Sequence, residues 1–214
     1  MKKVREPVSR ERILAAALEI VDAEGLGAVS MRRLGDALGV EAMSLYNHVP
    51  NKAAVLDGLF EAVLSEIEPV RRSKSWSLDL RHRARAFRAA LLRHPHVAPL
   101  FATRPAVTLA SLAHVEAALE VLREAGFARG EAVGVFQVLV AFVVGHTLGS
   151  TAALAPDAPA PVDYTSLDRD AFPRVRELAD VLARYDVERE FELGLDLMIG
   201  GLEARLTARE GRAR

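Results

Sequence analysis

Apolar residues recur every three or four positions along almost the whole chain, which is the spacing of one face of an α-helix. Residues that begin or end helices stand between these segments, such as the Ser9 N-cap and the Gly25 stop around the first of them. Runs that alternate apolar and polar residues, which would predict strands, are nearly absent. The sequence therefore predicts an all-α protein.

The predicted helices form a short N-terminal group and a longer remainder. The first three span 9–25, 30–38 and 41–49, and Pro50 ends the third because proline cannot continue the hydrogen-bond ladder. The other predicted helices are 51–68, capped by Asn51, then 76–93, a short piece before Pro99, 106–125, 130–153, 168–184 and 186–209. We expect a three-helix helix-turn-helix domain at 1–52, a linking helix at 51–68 and a larger helical domain at 69–214.

Composition narrows the class of protein. The 214 residues contain no cysteine, which excludes disulfides and thiolate metal sites and fits a reducing compartment. The basic start is not followed by an apolar stretch, so no secretory signal is predicted and we expect a cytoplasmic protein. With 28 Lys and Arg against 29 Asp and Glu, overall charge does not nominate a nucleic-acid binder, and any DNA contact must come from a local arrangement.

The most apolar run, at 132–155, raises the question of a membrane span. Gln137 and His146 interrupt it and no basic cluster flanks it, so we expect a buried helix of a soluble protein. The run is apolar nearly all round and needs cover on more than one side. Three glycines in the last helix (Gly194, Gly200 and Gly201) favour close approach of a partner backbone. We expect a homodimer through helices 130–153 and 186–209; a monomeric core helix is the alternative.

The second and third helices have the spacing of a helix-turn-helix. Leu34 and Leu38 would pack against Leu45 around a Gly39-Val40 turn. The third helix then exposes a face of small, apolar and hydrogen-bonding side chains that is narrow enough for a major groove. Acidic groups are missing from this face apart from Glu41 at its start.

These residues carry a resemblance to a known family. The stretch from ILAAALEIVDAEGLG to LYNHVPNKAAVLDGL resembles the DNA-binding domain of the tetracycline-repressor (TetR) family, with Leu45, Tyr46, His48 and Lys52 at the family's motif positions. The segments ATRP, EAGF, VVGHTLG and FELGLDLMIGGLEARL resemble the C-terminal domain of the tetracycline repressors. The resemblance implies a homodimeric repressor that binds a palindromic double-stranded operator and is released by a small-molecule effector, and it makes 69–214 the effector-binding and dimerisation domain.

The resemblance also implies which side chains contact DNA. Arg32 is expected to reach a base edge, and Met43 a thymine methyl. Tyr46, His48 and Lys52 are expected to hold phosphates. For Tyr46 the alternative is a half-buried core aromatic. The full expected set is Ser30, Arg32, Arg33, Ala42, Met43, Ser44, Tyr46, Asn47, His48 and Lys52.

The tetracycline–Mg²⁺ pattern of that group fails in this chain. Leu100 stands in place of a metal-binding histidine, Arg83 in place of the amide that grips the drug, and Glu68 in place of another histidine. We therefore expect a different effector, with no metal and no cofactor. The expected lining of its cavity is Glu68, Arg83, Phe87, Leu100, Thr103, Arg104 and Pro105. Arg83 and Arg104 could pair with an anionic ligand or with structural Asp and Glu residues, and the sequence leaves both open.

Two other functions compete with the repressor. A helical enzyme would have its site near His94, His96 and His146, but no nucleophile–base pair, HExxH or phosphate loop supports it, and no catalytic residue is expected. The His-Pro-His triplet can bind metal, yet without an adjacent carboxylate or cysteine it is more typical of an exposed turn. A dimeric ligand-binding protein without DNA contact is the third possibility.

Overall fold

The computed structural model describes residues 7–68, 72–152, 158, 160, 162–184 and 186–212. The structure is 75% helical, and no strand occurs in these ranges, which confirms the all-α prediction. The helices are α1 Arg10–Glu24, α2 Met31–Leu38, α3 Ala42–Leu45, α4 Lys52–Ser65, α5 Trp76–Arg93, α6 Ala98–Thr103, α7 Leu109–Glu124, α8 Arg129–Ala152, α9 Pro173–Glu177, α10 Ala179–Ala183 and α11 Val187–Arg212.

The chain packs as two units that divide between Leu148 and Gly149. The division lies at neither of the domain borders expected from the sequence, 52 and 69, and those borders stay predictions. In the first unit α1 contacts α2 and α4, and α4 in turn contacts α5, α6 and α7. The helix-turn-helix and the first half of the larger helical region therefore share one continuous packing arrangement.

The N-terminal helices form because each has a defined start and one apolar face. Ser9 caps α1 by accepting a hydrogen bond from the Arg12 backbone N–H at 3.3 Å. The faces of α1, α2 and α3 bury Ile13, Leu34 and Leu45 completely. Burying a side chain of this size contributes about 1.5–3 kcal/mol, so burial of these three stabilises the packing of this small region.

The third helix is shorter than predicted. It spans Ala42–Leu45, and the backbone continues in turns through His48, where N–H groups bond three residues back. The prediction of a helix over 41–49 was wrong at its C-terminal half. A residue before proline is pushed out of the α region, and Val49 precedes Pro50, so the helix ends early.

Two predicted helices have different boundaries. Proline was expected to end the short piece near residue 99, but α6 begins at Ala98 and holds Pro99 in its first turn, where a missing N–H costs nothing. The predicted helix 168–184 is broken: a 3-10 turn at Tyr164–Ser166 precedes α9 and α10. Pro173 starts a new helix there, and Asp168 ties down the preceding turn by accepting from the Asp170 and Ala171 N–H groups, each at 2.8 Å.

Helix α8 leaves part of its apolar surface exposed, including Val133 and Val138. It is long and apolar enough to span a membrane by length and composition, yet only 22% of its most apolar window is buried. Within one chain the expected burial is therefore incomplete, and the cover expected from a partner helix stays a prediction. The exposed positions follow a helical stripe of small and apolar residues with one amide, namely Val133, Gln137, Ala141, Gly145 and Gly149.

Candidate DNA-binding surface and effector cavity

The turn between α2 and α3 depends on two glycines. Gly39 ends α2 in the left-handed conformation, with φ of 68°, which favours glycine. Gly35 lies where α2 crosses the turn: a Cβ there would be 2.8 Å from the Val40 carbonyl oxygen and 3.1 Å from the Ala42 backbone nitrogen. A side chain at Gly35 would push the backbone apart and one at Gly39 would strain it, so the angle between α2 and α3 is tightly specified.

The predicted recognition face is exposed. Leu45 and Val49 are buried on one side of the turn, which places Met43 and Tyr46 on the other side with 75% and 44% of their surface accessible. At 44% exposure Tyr46 is accessible but still more than half covered, so the DNA contact and the half-buried alternative both stay open. Of the remaining expected contacts, those exposed to solvent are Ser30, Arg32, Asn47, His48 and Lys52, and those half-buried are Arg33, Ala42 and Ser44.

Two helix N-termini border this face. The Ser30 hydroxyl caps α2 by accepting from the Arg33 backbone N–H at 3.1 Å. The Asn51 side chain caps α4 by accepting from the Ala54 N–H at 2.9 Å, which sets Lys52 in the first helical turn. A helix N-terminus with an adjacent lysine suits a phosphate group.

The two neighbouring arginines of α2 differ in their surroundings. Arg33 donates to the Glu24 carboxylate at 2.6 Å, and this hydrogen bond raises the pKa of Arg33 above its ordinary value. Arg32 is exposed. Because adjacent helical positions point about 100° apart, α2 can aim only one of the two into a groove, and Arg32 is the one aimed away from α1.

A cavity of about 370 Å³ lies in the first unit, among α4, α5, α6, α7 and α8. Its size is typical of small-molecule sites, which run from roughly 300 to 1,000 Å³. Four of the expected residues line it: Arg83, Phe87, Arg104 and Pro105. The remainder of the described lining is mostly apolar, with three polar side chains that the sequence analysis missed, Ser111, His114 and Gln137.

Three expected residues do not line the cavity. Leu100 is buried in the core of the first unit, and Glu68 is exposed beyond the end of α4. Thr103 is exposed, and its hydroxyl donates to the Pro99 carbonyl at 2.9 Å within its own helix. Of α6 only Phe101 lines the cavity, together with Arg104, Pro105 and Ala106 directly after the helix.

Arg104 takes the structural role of the two that the sequence left open, although it also lies at the cavity. It lines the cavity, and its guanidinium donates twice to one oxygen of Asp57 on α4, at 2.6 and 3.0 Å. The pair joins the end of α6 to the middle of α4, the helix that begins directly after the recognition turn. A displacement of Arg104 at the cavity wall would therefore act directly on Asp57 of α4.

Arg83 has no such partner. Its Nε is buried and makes no hydrogen bond within the described part of the chain. Burial lowers the pKa of Arg83, and the nearby Arg72 lowers it further, while Asp79 and Glu120 act in the opposite direction. The cavity thus contains a partly desolvated cation that the protein does not neutralise by direct contact.

His114 is partly buried in the same cavity and lies close enough to Arg83 to be affected by its charge. Burial lowers its pKa below the ordinary 6.5, and the charge of Arg83 lowers the pKa further. The fold therefore favours the neutral imidazole. In the unfolded chain the ring takes up a proton at higher pH than in the folded chain, so stability falls as pH drops through and below 6.5.

Replacing His114 by glutamine is expected to make folding less sensitive to acid. Urea midpoints of wild type and His114→Gln, compared at about pH 8 and about pH 5.5, should show the smaller loss in the variant, because it has no buried ring to protonate. The exposed His82 on α5 supplies the control, and His82→Gln should keep the wild-type loss. Equal acid sensitivity of the wild type and His114→Gln would contradict the assigned role.

The His-Pro-His segment is a turn, as expected, and it is exposed at His96 but mostly covered at His94. The ring nitrogens of His94 lie 2.8 Å from Asp22 of α1 and 2.8 Å from Glu66 at the end of α4, and only 13% of the side chain is accessible. Burial opposes ionisation of Glu66, but hydrogen bonds from Arg93 and His94 hold the Glu66 pKa below its ordinary value. The carboxylates are distant in sequence, which is why the turn was wrongly expected to lack them. No group of three or more His, Asp or Glu side chains in the described ranges has the arrangement of a metal site.

Comparisons with known proteins agree with this architecture. A family model described as "Bacterial regulatory proteins, tetR family" matches residues 13–59, and one described as "Tetracyclin repressor-like, C-terminal domain" matches residues 68–206. The chain is 33% identical over 209 residues to the tetracycline repressor protein class C of Escherichia coli, covering 95% of this chain and 94% of that protein.

Solved structures show the same fold. The Streptomyces coelicolor TetR family protein ActR, solved in complex with actinorhodin, has a TM-score of 0.82 and 32% identity, covering 94% of this chain and 99% of that one. A single-residue variant of TetR from Acinetobacter baumannii, solved with minocycline, has a TM-score of 0.72 and 28% identity over 92% of this chain and 94% of that one. This chain belongs to the TetR family of bacterial regulatory proteins, and it is a helix-turn-helix DNA-binding repressor that a small-molecule effector releases.

Proposed function

We propose that this chain acts as a cytoplasmic homodimer in which two copies of the α2–α3 unit bind the half-sites of a palindromic operator. The observation that carries the proposal is the exposed recognition face beside the capped N-terminus of α4. One such unit contacts only a few base pairs, while a symmetric pair contacts half-sites about 34 Å apart or a multiple of that. A dimer is therefore the natural unit of operator binding.

Exposed apolar stripes on two helices support the dimer. In a single chain α8 leaves Val133 and Val138 exposed, together with small residues such as Ala141 and Gly145. On α11, Leu193, Leu197 and Gly201 are exposed one turn apart, while Phe191 and Leu195 are buried on another side. Apolar stripes of this length with small residues suit a helical interface, and a second copy would cover them. A membrane partner for α8 would not explain the stripe on α11.

The cavity supports the effector half of the proposal. ActR and the Acinetobacter TetR variant were solved with actinorhodin and minocycline respectively. We assign the cavity of this chain to its own effector, with Arg83, Phe87, Arg104 and Pro105 among the contacts. A ligand shifts the operator equilibrium only if it binds the non-operator conformation more tightly. The Arg104–Asp57 pair is the proposed link, since a ligand that repositions Arg104 also moves α4 and the turn before it.

The enzyme alternative has little support. His94 is held between Asp22 and Glu66, and His96 lies 3.0 Å from the Val21 carbonyl, so both histidines tie α1 to the larger region. His146 lies on α8, where its ring is 5.9 Å from Phe142. His94 and His96 therefore share a structural site at the end of α1, His146 lies on another helix, and the family consists of transcriptional regulators. We propose no catalytic residue and no cofactor.

Binding of the chain to DNA upstream of its own gene tests the proposal. We expect salt-dependent fluorescence anisotropy changes with a labelled duplex, and two chains per operator by light scattering of the complex. No salt-dependent binding to any such fragment would reject the repressor, and one chain per operator would reject the dimer.

Two substitutions separate the expected roles within the recognition face. Lys52→Ala should weaken binding about uniformly across operator variants and lower the salt slope by about one, because it removes one phosphate contact. Arg32→Ala should cost about 1–3 kcal/mol on the preferred operator and relax preference at one base pair. Lys74, an exposed lysine outside the recognition face, is the control, and Lys74→Ala should bind as wild type. Identical losses from Lys52→Ala and Arg32→Ala would contradict these roles.

A further inference from the structure

We infer that the effector is a metal-free aromatic anion whose acidic group is bound by Arg83. The inference rests on the proposed function, which assigns the cavity to the effector, and goes beyond it by naming the chemical class of the ligand. Three features of the cavity support the inference. In the described part of the chain they are an arginine without a bonded carboxylate, a wall of aromatic rings, and a lining that offers no carboxylate to a metal ion.

The arginine without a bonded carboxylate is Arg83. Its buried Nε lacks a hydrogen-bond acceptor within the described residues. The two carboxylates that act on it electrostatically are engaged elsewhere: Arg72 lies 3.6 Å from Asp79 and 3.3 Å from Glu120. A buried donor without an acceptor is unfavourable, and an anionic oxygen from a ligand would satisfy it with a charge-assisted hydrogen bond.

The second arginine of the cavity does not compete for the anion. Arg104 is neutralised by Asp57, which accepts two of its hydrogen bonds. The lining contains no other arginine and no lysine among the described residues. The positive charge of the cavity is therefore localised at Arg83 on one wall, and a ligand with a single acidic group matches it.

Aromatic rings form another wall. Phe60 stacks on Phe101 with ring centroids 4.1 Å apart, and Phe87 meets Phe101 edge to face at 5.3 Å. All three line the cavity. Offset and edge contacts with such rings favour a flat aromatic ligand body over a flexible chain.

The donor set argues against a metal chelate as the ligand. Mg²⁺ and Ca²⁺ are bound mainly by oxygen ligands and carboxylates, and the described lining contains neither Asp nor Glu. Its one imidazole, His114, lies in the field of Arg83, which would also repel a divalent cation. An anionic ligand without a bound metal ion fits this lining.

A matched pair of fluorescent probes tests the inference on the full-length protein. Anilinonaphthalene sulfonate is an aromatic anion, and phenylnaphthylamine is the same skeleton without the sulfonate. We expect saturable binding of both to wild type. Arg83→Gln should weaken the sulfonate probe by about tenfold or more and change the uncharged probe by less than about twofold, because only the sulfonate uses the guanidinium.

Three control variants test where the probes bind and what the Arg83 guanidinium contributes. Arg85→Gln alters an exposed arginine on the same helix and should leave both probes unchanged. Ala118→Trp fills the cavity and should remove both probes, which shows that they bind there rather than on exposed apolar helices. Arg83→Lys keeps the charge without the planar fork and should bind the sulfonate probe with intermediate affinity. Circular dichroism and urea midpoints verify that each variant is folded.

Several outcomes would overturn the inference. Equal losses of both probes in Arg83→Gln, sulfonate binding that survives Ala118→Trp, or sulfonate binding that Mg²⁺ strengthens and EDTA abolishes would each do so. Operator binding by wild type is measured separately without probe. A protein that binds DNA but shows no Arg83-dependent sulfonate binding rejects this inference alone, whereas loss of the repressor assignment requires failure of the DNA assay.

Discussion

Gly35→Val is expected to abolish measurable operator binding. The new side chain would meet backbone atoms: a Cβ at this position lies 2.8 Å from the Val40 carbonyl oxygen and 3.1 Å from the Ala42 nitrogen. Backbone cannot rotate away as a flexible side chain can, so α3 must shift. Overpacking of this kind costs about 1–3 kcal/mol or more, and a displaced α3 is expected to lose its predicted base contacts together. Fluorescence anisotropy with the labelled operator measures the loss.

Gly27→Ala provides the matched control for this result. Nothing lies within 4 Å of a Cβ at Gly27, and its φ is not positive, so the substitution meets neither a clash nor backbone strain. It should bind operator as wild type. Probe binding in the cavity reports whether the rest of Gly35→Val is folded. A folded Gly35→Val that binds operator normally would show that the close α2–α3 crossing is not needed for DNA recognition.

Phe127→Ala is expected to lower the free energy of unfolding by about 3–5 kcal/mol, a large share of a typical domain's stability. Phe127 is fully buried after α7, and its ring meets Trp76 edge to face with centroids 5.4 Å apart. Removing it leaves a cavity beside the first residue of α5. Trp76 is the only tryptophan of the chain, so its fluorescence reports both the local change and global unfolding in urea.

Phe172→Ala makes the same chemical change at a site that is 50% exposed, and it should change unfolding free energy by no more than about 0.5 kcal/mol. Comparison of the two variants therefore separates burial from the loss of an aromatic ring. A similar small change in both would show that the Trp76–Phe127 contact is not part of a tightly packed core.

Helix positions were predictable wherever local sequence decides them. Caps such as Ser9, Ser30 and Asn51 hold the starts of α1, α2 and α4 at the expected residues, because a cap bonds within its own turn. The prediction failed where proline signals were misjudged, at Pro50, Pro99 and Pro173. A proline can end a helix or stand in the first turn of the next one. The packing around it decides between these two outcomes.

The sequence predicted the residues of the DNA-binding surface more completely than those of the cavity. The expected recognition face comes from one short segment, so the sequence could nominate its residues, and their contacts with DNA stay predictions. The cavity gathers walls from five helices, and His114 and Gln137 on α7 and α8 gave no local signal. The same limit applied to His94, whose partners Asp22 and Glu66 lie far away along the chain.

By itself the sequence determined the helical class, the helix-turn-helix and the family resemblance, because these depend on spacing and motifs within a few turns of chain. Only the tertiary structure decided that Arg104 is neutralised by a carboxylate and that the Arg83 Nε–H has no acceptor within the described residues. Arg104 meets Asp57 across two helices, and Arg83 loses the nearby carboxylates to Arg72. Partners distant along the chain set the charge of a cavity, since Coulomb energy depends on separation in space.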